Sequence, residues 1–278
     1  MKQCLIIRNT FNNEIPFTVQ AICDFLVERD IGVKVCNYSG QKQVADTRGC
    51  DFAITLGGDG TVLYAARTCA PLNIPIFPIN LGQFGFIAGI QKDNWQSELD
   101  KFLKGKLKIA KRTMIQAELY RKDKLLFLSS ALNDIVISAQ TARMVSLDIK
   151  CNEIPFGLFR CDGIIACTST GSTAYSASAG GPLVDPRLDS IILNTICPFS
   201  LAGRPLVLPD SAVLTIQMLP SRGGEPVISC DGQEPFKLKV DDKIIIQKSE
   251  KKVLLAGCDT RIFYEALKSK MHWFGGLS

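Results

Sequence analysis

The chain has 278 residues, of which 46% are hydrophobic and 21% are charged, and its formal net charge is +5. This composition excludes an intrinsically disordered protein, and the length provides for one large domain or two of ordinary size. The basic residues are scattered or in short pairs such as Lys111-Arg112, unlike the long basic stripe of a nucleic-acid-binding protein, and no apolar run approaches the ~20 residues of a membrane span.

Residues 1–100 alternate between strand and helix patterns. Short apolar runs predict strands at 5–7, 33–36 and 52–56, and apolar residues at helical spacing predict helices at 15–29, 61–69 and 94–104. Two prolines in the extended segment 74–79 exclude a helix there and indicate the edge or the end of a sheet. The alternation predicts a Rossmann-like α/β domain with a parallel sheet.

From about residue 114 the pattern becomes β-rich. Apolar and β-branched runs recur at 114–120, 125–128, 132–137 and 145–150, and further short strands follow between 213 and 255. The polar residues 121–124 predict a hairpin loop, and helices are predicted at 172–179 and at 259–270, the last packing back on the first domain. We therefore predict an α/β amino-terminal domain at 1–100, joined by the tail at 259–278, and a β-rich carboxy-terminal domain at 101–258.

Cysteine and histidine usage indicates the cellular compartment. The chain contains eleven cysteines and one histidine, without a CxxC pair, so the spacing of a zinc site is missing. Reduced thiols packed as small apolar residues are typical of a cytosolic protein. The amino-terminal sequence has only a short apolar run before Arg8 and does not resemble a signal peptide. We therefore expect a cytoplasmic protein.

The segment LGGDGT leads from the strand predicted at 52–56 into a helix. Its glycines, at 57, 58 and 60, permit positive φ and a close approach of the backbone to a ligand. Such a turn presents backbone N–H groups to a phosphate, although it lacks the Walker-loop lysine and the GxGxxG spacing. Asp59 is unexpected there, because a carboxylate repels an anion. A plain strand–helix turn with Asp59 near the helix cap is the alternative interpretation.

A second segment, TSTGSTAYSASAGGPL at 168–183, consists mainly of small residues. Hydroxyl and backbone groups on so little bulk suit a surface against which a flat ligand lies. A closely packed helix that needs small residues is the alternative interpretation.

Asn133 and Asp134 interrupt the strand predicted at 132–137. Neighbouring strand residues face opposite sides, so one of the two should face a covered side and need a partner there. A satisfied structural asparagine is the alternative. The lone His272 lies in the terminal tail, which argues against histidine catalysis and makes a carboxylate, Asp59, the expected general base.

Taken together, these segments resemble the NAD kinase family. The resemblance lies in GGDGT (57–61), NLGQFGFIAG (80–89), LND (132–134), RCDG (160–163), TSTGSTAYSASAGGP (168–182), ICPFSLAGRPLVLP (196–209) and SCDGQ (229–233). GGDGT is shared with lipid kinases of the same superfamily, whereas the run at 168–182 is far more specific. The resemblance implies a two-domain NAD kinase-like architecture and phosphoryl transfer from ATP, or another donor, to the 2′-hydroxyl of the adenosine ribose of NAD, giving NADP.

The resemblance also implies roles for individual residues. Asp59 would be the general base, and Gly60 would contact the dinucleotide while the GGDG backbone holds the donor phosphates. Asn133 would pair with adenine, and Asp134 would lie beside the ribose hydroxyls. Thr173, Ala174 and Ser178 would line the adenine pocket, Asp162 and Tyr175 would hold the nicotinamide half, and Arg143, Arg160 and Gln233 would make further dinucleotide contacts. Mg²⁺ or another divalent cation would arrive with ATP, and the family implies a homodimer or homotetramer.

Three residues depart from the family pattern. Ser169 stands where proline is usual, Phe199 replaces a usual histidine, and Asp134 replaces the commoner glutamate with the same charge and a shorter reach. Two other functions stay open. The hydroxyl-rich segment and the lack of an amphipathic membrane-binding stretch oppose a lipid kinase, and the intact Asp59 and Asp134 oppose a non-catalytic dinucleotide-binding regulator.

Overall fold

The computed structural model describes residues 1–10, 15–39, 45–82, 85–141, 143–200, 203–221 and 225–271. The chain divides into two compact units, the first made of residues 1–112 and 251–278 and the second of residues 113–250. The limits predicted from the sequence are about 100 and 258. The two breaks observed here lie inside long strands, where neither composition nor turn residues mark a boundary.

The elements are numbered in chain order. The first part of the chain contains β1 (Lys2–Asn9), α1 (Ile15–Val27), β2 (Ile31–Tyr38), β3 (Phe52–Gly57), α2 (Asp59–Cys69), β4 (Ile76–Asn80), β5 (Ile90–Gln91) and α3 (Trp95–Leu103). It is followed by β6 (Ile109–Arg121), β7 (Lys124–Ala131), β8 (Asp134–Ala139), β9 (Val145–Cys151), β10 (Ile154–Cys161), β11 (Gly163–Thr168), α4 (Tyr175–Ser178), β12 (Ser190–Ile196), β13 (Leu206–Pro209), β14 (Leu214–Leu219), β15 (Pro226–Cys230), β16 (Phe236–Lys237), β17 (Lys243–Ala256) and α5 (Thr260–Met271). None of the helices in the described ranges is long and apolar enough to cross a bilayer.

The first unit is built on a parallel sheet. Its strands lie in the order β2-β1-β3-β4, all parallel, as the alternation of strand and helix patterns predicts. β3 is buried over its whole length, and its Ile54 belongs to one apolar cluster with Leu26 of α1 and Leu99 of α3. Burial of each such side chain contributes about 1.5–3 kcal/mol, so this cluster holds the helices on the sheet.

Pro78 lies inside the sheet, although the sequence predicts an edge or an end. β4 pairs with β3 along residues 76–80 on one side. On the other side, β17 pairs with β4 at Ile76, and β5 pairs with it at Ile79 and Asn80. Pro78 therefore lies in the gap between two short partners, where its missing N–H interrupts no ladder.

The end of the chain returns to the first unit, as predicted. Leu255 near the end of β17 pairs with Ile76 of β4, and α5 follows. The ring centroid of Phe263 in α5 lies 6.3 Å from that of Phe86. Ile262 packs so closely on Gly89 that a Cβ there would come within 2.2 Å of its side chain.

A six-stranded antiparallel sheet forms the centre of the second unit. Its order is β13-β12-β11-β8-β15-β16, and β11 is buried over its whole length. On one face Ile164 belongs to the large apolar cluster of this unit. On the other face Ile165 and Cys167 pack with Val184. The chain that follows β11 therefore returns to cover the second face of this sheet.

The second unit also contains the ladder β10-β9-β14-β17 and the hairpin β6–β7. The two loop residues of the hairpin, Lys122 and Asp123, have φ of 50° and 62°, as in a type I′ turn. The hairpin predicted at 121–124 is thus confirmed.

One ion pair of this unit is buried. At the end of β6, Arg121 donates from Nε and Nη2 to the two carboxylate oxygens of Asp242, at 2.7 Å each. The backbone N–H of Lys239 donates to the same carboxylate at 2.8 Å. The Asp242 side chain is 0% exposed and that of Arg121 is 27% exposed, so each depends on the other to compensate its charge.

The helix predicted at 172–179 is shorter than expected. It consists of a 3-10 turn, Thr170–Thr173, and the single helical turn α4. Hydroxyl side chains bond to the backbone in place of a helical ladder: the Oγ of Ser172 donates to the carbonyl of Ser169 at 2.8 Å and accepts the N–H of Val184 at 3.0 Å. Such bonds compete with helix formation, which explains why this segment does not extend its helix.

Candidate active site

The turn between β3 and α2 leaves its backbone open. Gly57, at the end of β3, has φ 155°, and a Cβ there would lie 2.3 Å from Oγ1 of Thr61. Gly58 precedes α2 without a side-chain cap, and a Cβ on Gly58 or Gly60 would meet nothing within 4 Å. The amino-terminal N–H groups of α2 are therefore not covered by a capping side chain, an arrangement that favours anion binding.

The carboxylate of Asp59 is held by a different loop of the same unit. Its Oδ2 accepts the backbone N–H of Phe86 at 2.9 Å, and its Oδ1 accepts those of Ile87 and Ala88 at 3.1 and 3.0 Å. Because a carboxylate oxygen accepts about two hydrogen bonds, Oδ1 is filled, whereas Oδ2 keeps one acceptor position. The negative charge of Asp59 is thus compensated by three backbone N–H groups. Its Oδ2 can still accept one more hydrogen bond.

Gly85 is required for this contact. A Cβ on Gly85 would lie 2.2 Å from Oδ1 of Asp59, well inside van der Waals contact. The glycine therefore permits the loop to approach the carboxylate. It lies in NLGQFGFIAG, of which Gln83 and Phe84 are outside the described residues.

In the second unit, Asn133 precedes a strand instead of lying within one. β7 ends at Ala131 and β8 begins at Asp134, so Asn133 has no neighbour in the sheet ladder. Alternation along a strand therefore does not apply to the pair, and both side chains are buried: Asn133 is 8% exposed and Asp134 is 6% exposed. The expectation that one of the two faces a covered side is met, and the other is covered as well because Asn133 lies outside the strand.

The amide oxygen of Asn133 is unsatisfied. Its Oδ1 is buried and has no hydrogen-bond partner among the described residues. A buried polar atom without a partner is costly and rare in a folded protein. This atom therefore marks a position at which a ligand donor would be accepted.

Asp134 is a strongly perturbed acid. Burial and then the negative charge of Asp231 raise its pKa to about 7, against the lowering effect of the backbone N–H of Tyr175. Perturbed acids of this kind are concentrated at functional sites. Asp134 and Asn133 thus form a buried polar group beside the backbone N–H of Tyr175.

The small-residue segment packs directly on Asn133. Oγ1 of Thr168 donates to the carbonyl of Leu132 at 2.6 Å, and the N–H of Thr168 donates to the carbonyl of Asn133 at 2.9 Å. A Cβ on Gly171 would lie 2.1 Å from that same carbonyl oxygen, so only glycine fits. Beyond it, Thr173 and Ala174 are half-buried and Tyr175 and Ser178 are exposed.

The remaining predicted contacts lie outside this group of hydrogen bonds. Arg143, Arg160 and Asp162 are exposed, and their side chains take no part in the bonds described above. The guanidinium carbon of Arg160 lies 5.1 Å from the ring centroid of Phe199, the position at which the family usually has histidine. Gln233 is half-buried, and its Nε2 donates to the carbonyl of Asp231 at 3.4 Å.

Asp231 is a residue that sequence reasoning did not single out. It is 7% exposed, and its carboxylate accepts the backbone N–H groups of residues 132–134. A signal was present in the sequence, although a weak one, because SCDGQ at 229–233 repeats the strand-then-Asp-Gly pattern of FRCDG at 159–163. The described residues contain no group of three or more His, Cys, Asp or Glu that could hold a metal ion, and His272 lies beyond them.

Two family models match this chain. The ATP-NAD kinase N-terminal domain matches residues 37–107, and the ATP-NAD kinase C-terminal domain matches residues 132–257. Similar full-length proteins named NAD kinase come from Treponema denticola (46% identical, covering 100% of this chain and 99% of the relative), Treponema pallidum (39%, 98% and 90%) and Solibacter usitatus (34%, 92% and 92%).

Two solved structures have the same fold. Yeast NADH kinase complexed with NADH superposes with a TM-score of 0.85 at 23% identity, covering 100% of this chain and 89% of that one. An NAD kinase from Archaeoglobus fulgidus in complex with ATP superposes with a TM-score of 0.74 at 25% identity, covering 94% and 96%. The two-domain architecture predicted from the sequence is confirmed.

Proposed function

The chain belongs to the NAD kinase family, and from this premise we propose how its residues share the work. The protein is an NAD kinase, a phosphotransferase that converts NAD to NADP. In our proposal the acceptor is the 2′-hydroxyl of the adenosine ribose, and the donor is ATP or another phosphate donor. The lipid kinase and the non-catalytic regulator have no support in these comparisons.

The observation that carries the acceptor assignment is the buried, unsatisfied Oδ1 of Asn133. Asparagine pairs with adenine by accepting from the 6-amino group and donating to N7. Adenine would therefore satisfy a buried atom that the described residues leave without a partner. Thr173, Ala174 and Ser178 would line this pocket, and the carboxylate of Asp134 would accept hydrogen bonds from the ribose hydroxyls.

Asn133→Ala should weaken NAD binding by about tenfold, because a hydrogen bond that discriminates an adenine edge contributes about 1–3 kcal/mol. The matched ligand is a dinucleotide with hypoxanthine in place of adenine, which lacks the 6-amino donor. Wild type should prefer NAD over this analogue in calorimetric titration, and Asn133→Ala should lose that preference. If the variant kept it, the adenine assignment would be wrong.

Asp59 would act as the general base in the transfer step. We propose that the ribose hydroxyl donates to Oδ2, the oxygen that accepts only one backbone N–H. As the hydroxyl oxygen bonds to the terminal phosphorus of ATP, its proton passes to Asp59 and ADP leaves with the bridging oxygen. A base of this kind typically contributes 10²–10⁴-fold.

The GGDG turn would hold the donor phosphates. The uncapped amino terminus of α2 supports this role, since free N–H groups and the helix dipole both favour an anion. Mg²⁺, or another divalent cation, would enter as part of the nucleotide substrate and neutralise phosphate charge. Gly60 would contact the dinucleotide.

The other dinucleotide contacts remain proposals carried by the resemblance. Asp162 and Tyr175 would hold the nicotinamide half, and Arg143, Arg160 and Gln233 would make further contacts. We also propose that the protein is cytoplasmic and that it forms a homodimer or a homotetramer. Light scattering of the purified protein would test the oligomeric state.

Incubation of the protein with MgATP and NAD should produce NADP. An NADP-specific dehydrogenase would detect the product, and NAD without ATP is the control. A lipid kinase would instead phosphorylate diacylglycerol in vesicles, and a regulator would bind NAD without turnover; either result would overturn the assigned reaction.

A further inference from the structure

Residues 132–134 lie where the backbone leaves one strand and enters the next. Their three successive N–H groups donate to a single carboxylate, that of Asp231: residue 132 to Oδ2 at 2.9 Å, and residues 133 and 134 to Oδ1 at 2.8 and 3.2 Å. N–H groups at such a break lack a sheet partner and need another acceptor. Asp231 supplies it.

Further bonds make the arrangement reciprocal. The N–H of Asp231 donates to the carbonyl of Asp134 at 2.9 Å, and Thr168 donates to the carbonyls of residues 132 and 133. The backbone of 132–134 is therefore held on both its donor and its acceptor sides. Because side-chain direction follows backbone position, these bonds set where the Asn133 amide and the Asp134 carboxylate are presented.

The Asp231 turn is adapted to this contact. Asp231 has φ of 50° and Gly232 has φ of 65°, a conformation that aspartate and asparagine tolerate better than most residues. Its carboxylate is buried close enough to Asp134 for the two charges to interact. Asp231 thus acts on Asn133 and Asp134 in two ways: its carboxylate holds the backbone of residues 132–134, and its negative charge raises the pKa of Asp134.

We propose that Asp231 is a positioning residue for dinucleotide binding, which orients Asn133 and Asp134 by holding the backbone of residues 132–134. This inference rests on the proposed function, in which those two residues bind NAD. Asp231 itself contacts no substrate in this proposal.

Asp231→Asn separates positioning from general stability. The amide preserves the shape and the turn conformation but replaces one acceptor oxygen with a donor, which would face an N–H group. We expect an NAD affinity lower by about tenfold, since an unsatisfied buried N–H costs about 1–3 kcal/mol. The KM for ATP should stay near the wild-type value, because the turn at Asp59 belongs to the other unit.

The pH dependence of NAD binding gives a second readout. The groups that face Asp134 are Asp231, the N–H of Tyr175 and the thiol of Cys167, and burial raises the pKa of that thiol to about 12, so it stays neutral. Ionised Asp134 accepts hydroxyl hydrogen bonds more strongly, so NAD affinity should rise as the pH increases through about 7. Asp231→Asn removes a negative neighbour, lowers the pKa of Asp134 and should move this rise to lower pH.

The experiment is calorimetric titration of NAD into wild type and Asp231→Asn from pH 5.5 to 8.5, with KM for ATP and thermal melting measured in parallel. Asp241→Asn is the matched control, because Asp241 is also an aspartate at positive φ, 68°, and is exposed. Asp231→Glu is the second variant. It keeps the charge but changes the reach, so it should weaken NAD binding while the pH midpoint stays near that of wild type.

An NAD affinity unchanged in both Asp231 variants would overturn the inference. Equal losses for NAD and ATP together with a lower melting temperature would also overturn it, because they would indicate a merely structural role. A wild-type protein that binds no NAD would instead overturn the proposed function and the inference with it.

Discussion

Asp59→Asn should lower kcat by about 10²-fold or more, the usual contribution of a general base, while NAD binding is largely retained. The amide cannot take the proton from the ribose hydroxyl at Oδ2. Single-turnover measurement of NADP formation, with NAD affinity determined separately, would test this. Turnover like that of wild type would contradict the assignment of Asp59 as the base.

The same carboxylate also holds the loop at 86–88, so a second variant is needed to separate the two roles. Gly85→Ala keeps the acid but places a Cβ at 2.2 Å from its Oδ1, which displaces the carboxylate from the backbone N–H groups. We expect this variant to lose activity as well, although the base is chemically present. Full activity in Gly85→Ala, alongside an inactive Asp59→Asn, would show that the contact with residues 86–88 is not needed for catalysis.

Arg121→Met should lower the free energy of unfolding by about 3–5 kcal/mol, the usual cost of breaking a buried ion pair from one side. The variant keeps most of the apolar stem of Arg121 but leaves the fully buried carboxylate of Asp242 without its cation. Urea denaturation monitored by fluorescence and circular dichroism would measure the loss.

Lys237→Met provides the matched control for this prediction. Lys237 forms an ion pair with Glu225 in the same unit, but the two side chains are 68% and 64% exposed. Solvent-exposed pairs contribute about 0–1 kcal/mol, so this variant should unfold close to the wild-type midpoint. Similar losses in the two variants would mean that burial is not what makes the Arg121 pair important.

The fold was largely predictable because its local signals are consistent. The strand predicted at 52–56 is β3, the helix predicted at 61–69 is α2, and the residues at 121–124 form the predicted hairpin loop. The departures have identifiable causes: hydroxyl side chains shorten the helix predicted at 172–179, and Pro78 fits inside a sheet because of a gap between partner strands. Neither cause is visible until the tertiary partners are known.

The candidate site was predictable in its residue types and less so in its contacts. The sequence identified Asp59 and Asn133. It did not indicate that the backbone N–H groups of residues 86–88 hold the carboxylate of Asp59, or that Oδ1 of Asn133 has no partner among the described residues. Both properties depend on loops that are distant along the chain. Asp231 was missed because an Asp-Gly turn is common and its target, residues 132–134, lies about a hundred residues earlier. Periodicity does not report such long-range pairing.

The position of β17 has a consequence for synthesis on the ribosome. β4 receives Leu255 as a partner on the side opposite β3, yet that residue is translated only after the whole second unit. The first unit therefore emerges with the outer side of β4 incompletely paired, an open edge of the kind that invites association with other chains. We therefore expect chains stalled before β17 to aggregate more readily than the complete chain.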